Sequence, residues 1–77
     1  MNSKITDVII HTKAQLSDQQ FAEVSEQVYK TEGIVSLSRN LHTPRLVMVV
    51  YNAASLRAAS ILKTLKRMGY DASLVGI

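Results

Sequence analysis

Ile34-Val35-Ser36-Leu37-Ser38-Arg39-Asn40-Leu41-His42-Thr43-Pro44-Arg45-Leu46-Val47-Met48-Val49-Val50-Tyr51 is the stretch that decides the fold. From Val35 it alternates, with Val35 and Leu37 on one side and Ser36 and Ser38 on the other, the period of a half-buried strand. Asn40 to Pro44 has turn chemistry, and Pro44 has no amide to give to a ladder. Leu46 to Tyr51 is an unbroken apolar run, expected of an interior strand. The middle of the chain is thus predicted to be two strands joined by a turn.

On either side lies a helical stripe. Phe21, Val24 and Val28 recur at i, i+3 and i+7 before the hairpin. Ser17 and Gln20 have the spacing of a capping box, Leu16 and Phe21 that of a hydrophobic staple, and Gly33 is placed at the helix C′ position. After the hairpin come Ala58, Ile61, Leu62, Leu65 and Met68, with Ser55 as the expected N-cap and Gly69 as the C′ glycine. Further out, 7–13 and 72–77 read as strands. The order βαββαβ is that of the split-βαβ motif. A single domain over residues 1–77 is predicted: an α+β, ferredoxin-like sandwich with two helices on one face of a four-stranded antiparallel sheet.

This fold assigns faces. Val8, Ile10, Val35, Leu37, Leu46, Met48 and Val50 are expected under the helices. Ile9, His11, Lys13, Val47, Val49 and Tyr51 are expected on the open face. Contiguous apolar surface marks a partner site, so Ile9, Val47, Val49 and Tyr51 are expected to be covered in a homodimer or a complex.

Composition sets limits. A 77-residue chain buries only roughly 60% of its unfolded surface, which favours an efficient core or a partner. The absence of cysteine excludes disulfides, thiolate metal sites and a cysteine nucleophile. No run approaches a membrane span and no secretory signal pattern opens the chain, so a cytoplasmic location is expected. Net charge is +3. Glu23 and Glu26 mark the first helix as acidic, and Lys63, Lys66 and Arg67 the second as basic. These read as solvated faces suited to electrostatic steering.

Two segments resemble heavy-metal-associated domains, the family of small copper chaperones and metal-ATPase N-terminal domains. They are Gly33-Ile34-Val35-Ser36-Leu37-Ser38-Arg39-Asn40-Leu41 and Leu65-Lys66-Arg67-Met68-Gly69-Tyr70-Asp71-Ala72. The spacing between strands also fits, over nearly the whole chain. The resemblance implies soft-metal binding through M-x-C-x-x-C after the first strand. Gln15 stands in place of the Met, and Ser17 and Gln20 in place of the two Cys. Hydroxyl and amide do not replace thiolates for a soft ion. The family's partner surface, by resemblance, maps to Gln15, Ser17, Gln20, Lys66, Tyr70 and Asp71.

What remains for metal is an N/S set of His11, His42 and Met68, on segments the fold brings towards one end. No resident cofactor is expected, and a metal carrier with these atypical ligands is the alternative function. No enzyme constellation is present: Glu23 and Glu26 sit on a helix surface rather than in a shielded cleft, and no glycine-rich phosphate loop exists. Nucleic acid is not an expected partner, because Tyr51 is the only aromatic assigned to the face that base-stacking domains of this architecture use. A small-ligand regulatory domain would want a Gly-rich turn where Ala14-Gln15-Leu16 stands. The sequence reading is a non-catalytic binding protein with an interaction or assembly role, accessory to metal homeostasis.

Overall fold

The computed structural model describes residues 4–75. Six elements follow the predicted order: β1 (Ile5–Thr12), α1 (Asp18–Tyr29), β2 (Ile34–Asn40), β3 (Thr43–Asn52), α2 (Ala58–Arg67) and β4 (Ala72–Val75). The strands form one sheet in the order β2-β3-β1-β4, with every neighbouring pair antiparallel. Both helices lie on one face, touching each other, with α1 over β2 and α2 over β4. This is the ferredoxin-like sandwich.

α1 begins as its sequence demands. The Gln20 amide donates to Ser17 Oγ at 3.0 Å, and the Ser17 amide donates to Gln20 Oε1 at 2.9 Å. This reciprocal pair satisfies two amides that a helix start leaves free. The staple also forms, with Leu16 buried and Phe21 packed against the core. α2 ends at Gly69, where φ is +96°. The Gly69 amide donates to the Lys66 carbonyl and the Tyr70 amide to the Leu65 carbonyl, closing the last turn.

Several local expectations are corrected. Ser55 is not the α2 N-cap. That position is Arg57, which makes no side-chain cap, while Asn52 Oδ1 organises the preceding turn by accepting from the Ala54 amide. Gly33 is not the C′ residue of α1, whose C-cap is Lys30. It takes its φ of +101° in the turn entering β2. Pro44 lies within β3. It falls where the β2–β3 register slips from Arg39↔Val47 to Asn40↔Thr43, so its missing amide leaves that ladder intact.

The main correction concerns β3. Val8 pairs with Val49 and Ile10 with Val47, and all four are buried beneath the helices. Tyr51 joins them on the core side. Leu46, Met48 and Val50 therefore take the open face, the reverse of the sequence assignment. An apolar run without alternation carries no parity, so the register with β1 decides which side is buried. Val35 is likewise exposed, because a bulge lies between Ile34↔Tyr51 and Ser36↔Val50. The bulge hands the core position to Ile34, and Leu37 stays inward.

Candidate functional site

Three loops meet at one end of the sheet. The Lys13 amide donates to the Asp71 carbonyl at 2.9 Å, tying the β1–α1 loop to the α2–β4 loop. Thr12 Oγ1 donates to the Arg45 carbonyl at 3.3 Å, joining the start of β3 to the same end. Gln15, Ser17, Gln20, Lys66 and Asp71 are all exposed there, and Tyr70 is half-buried against the core.

Arg39 holds this end together, a role composition and spacing did not reveal. Its Nη1 donates to the Leu16 carbonyl at 2.6 Å and its Nη2 to Asp18 Oδ1 at 2.6 Å. Its guanidinium carbon lies 4.6 Å from the centre of the Phe21 ring. A fixed cation thus spans β2, the loop and the first turn of α1. Asp18 is fully solvated, so the carbonyl and ring contacts carry most of the energy. The parity of β2 placed Arg39 inward with Leu37, which was the one available signal.

The loop that would hold a soft metal is therefore committed elsewhere. Ser17 and Gln20 are bonded to each other's backbone, and the Leu16 carbonyl accepts from Arg39. The available donors are oxygen and amide nitrogen, which do not fit a thiophilic ion. The alternative set is not assembled either. Met68 packs against the helix-side core, whereas His11 pairs with Leu46 and Ser73 on the opposite face of the sheet. His42 is exposed on the β2–β3 turn. Among the described residues, no three His, Cys, Asp or Glu side chains gather as a metal site, and every buried side-chain polar atom has a partner.

The open sheet face has a different character. One row runs Ser38–Met48–Ile9–Val75 across all four strands. Flanking rows are Leu46–His11–Ser73 and Ser36–Val50–Asp7. Met48 and Val75 are 37% and 43% exposed. Of the expected interface residues, Ile9 alone of the apolar four lies here; Val47, Val49 and Tyr51 are core. Their places are taken by Leu46, Met48 and Val50. An open depression of about 480 Å³ lies beside Ile9, Leu46 and Met48 at the hairpin end of this face. Leu41 on its rim is 92% exposed. No helix among the described residues is long and apolar enough to cross a membrane.

No protein-family model matches the sequence, and no curated protein does. Solved structures do. Oxidized MerP from Ralstonia metallidurans CH34 is 18% identical with a TM-score of 0.78, over 92% of this chain and 97% of that one. A copper-bound CopA variant from Bacillus subtilis is 21% identical with a TM-score of 0.77, over the full length of both. A putative copper-ion-binding protein from Bacillus anthracis str. Ames is 12% identical with a TM-score of 0.79, over 94% and 100%. The chain thus has the fold of heavy-metal-associated domains, without their cysteines.

Proposed function

We propose that this chain is a non-catalytic binding module that keeps the scaffold of the metallochaperone domains but works by protein contact through its open sheet face. One observation carries the reading: the positions of the absent thiolates are engaged in a capping box, and the Leu16 carbonyl just before them is held by Arg39. A loop committed to its own backbone has no soft donor to offer a metal. The apolar rows around Ile9, Met48 and Val50 supply the contact surface instead. They are the kind of contiguous patch that proteins cover with partners. The structural relatives include metal-binding proteins, which supports a role accessory to metal homeostasis.

The test is an anaerobic amide NMR titration with Cu(I) and with Zn(II) in the presence of a competing chelator. Unshifted resonances across 13–20, His11, His42 and Met68 are the expected result. Saturable shifts at those residues with sub-micromolar affinity would overturn the reading in favour of a metal carrier.

A further inference from the structure

The open face contains two ionisable side chains among the described residues, Asp7 and His11. Both lie on β1, one residue pair either side of Ile9, in the rows that flank the central Ser38–Met48–Ile9–Val75 row. The sequence has nine Lys and Arg, and none lies in these three rows; Lys13 follows His11 on the same side just beyond the strand end. A net charge of +3 makes copies repel through most orientations. This face is the orientation in which they do not.

We infer that the face binds a second copy of this chain, in an antiparallel two-fold arrangement about the central row, with Asp7 of each copy over His11 of the other. The inference rests on the open-face reading above and names its partner. A two-fold axis along the central row reverses the strand direction, places Ile9 over Ile9 and Met48 over Met48, and exchanges the flanking rows. The negative group then meets the imidazole twice, as an isologous contact requires. The parallel alternative would set Asp7 against Asp7. Packed sheets lie about 10 Å apart and are rotated by about 30°, which displaces the flanking rows by about 3.5 Å, within reach of these side chains. Serines 36, 38 and 73 supply a polar rim around the apolar centre. The four-strand face measures about 20 Å by 25 Å, so about 1,000 Å² would be covered in total. That is the size of a reversible contact rather than an obligate one.

His11 has Leu46 and Ser73 as its neighbours on β3 and β4, neither of which titrates. Asp7 shares its strand, Lys13 follows beyond the strand end, and His42 stands on the hairpin turn.

Sedimentation equilibrium tests this over about 1 µM to about 1 mM, spanning the affinities expected of a small interface. The expected result is a reversible dimer, weakened about tenfold by Asp7→Lys, since two attractions become two repulsions. The double variant Asp7→Lys/His11→Glu should restore it, and Met48→Asp should abolish it with the circular dichroism spectrum unchanged. A monomer throughout the range overturns the inference, as does a dimer in which the double variant is as weak as the single one. Neither result touches the metal titration, which judges the module reading separately.

Discussion

Arg39 is held at three points: the Leu16 carbonyl, the Asp18 carboxylate and the face of Phe21. Its side chain is 14% exposed whereas that of Asp18 is wholly solvated, so removing the two partners has unequal consequences. Arg39→Ala leaves the Leu16 carbonyl without its donor and strips the ring of its cation. It should destabilise the fold by about 1–3 kcal/mol, read as a lower urea midpoint. Asp18→Asn should leave the midpoint nearly unchanged. Equal losses in the two variants would mean that the ion pair, not the loop carbonyl and ring, fastens this end.

The elements differ in how clearly their sequences announce them. α1 was legible to its cap, because Ser17, Gln20, Leu16 and Phe21 act through bonds within one turn. Gly69 was legible for the same reason. β3 was not: Leu46 to Tyr51 is apolar on both sides, and its parity is fixed by pairing with Val8 and Ile10 far along the chain. The bulge at Val35 arises in the same way, from the sheet rather than from local preference. The candidate interface inherited the inverted parity, which is why Val47, Val49 and Tyr51 proved to be core. The contrast is testable with one substitution at two adjacent positions. Val49→Asp buries a carboxylate at a fully enclosed site and should unfold the domain, since the cost exceeds much of the roughly 5 kcal/mol a small domain holds. Met48→Asp should retain the native spectrum and a cooperative urea transition. The reverse outcome would mean that the strand faces the other way.

As a whole the molecule is two-sided. The helix layer carries the charge, with Glu23 and Glu26 on α1 and Lys63, Lys66 and Arg67 on α2 all exposed. The open face of the sheet carries only Asp7 and His11 as ionisable side chains in its three rows. At the β2 edge the Leu37 amide donates to the Tyr29 hydroxyl at 2.9 Å, so that amide is not free to pair with an added strand. The proposed association uses the sheet face rather than this edge. The chain shares its fold with proteins that include a copper-bound CopA variant, and its β1–α1 loop is closed by hydrogen bonds, so the proposal places contact on the sheet. The most direct measurement is the concentration dependence of the amide spectrum of the unmodified protein, recorded with its rotational correlation time. The account predicts shifts confined to the open-face residues of the four strands, with tumbling slowing in step and the 13–20 loop and α2 unmoved. Shifts centred on that loop and α2, or a spectrum and tumbling time independent of concentration, would contradict it.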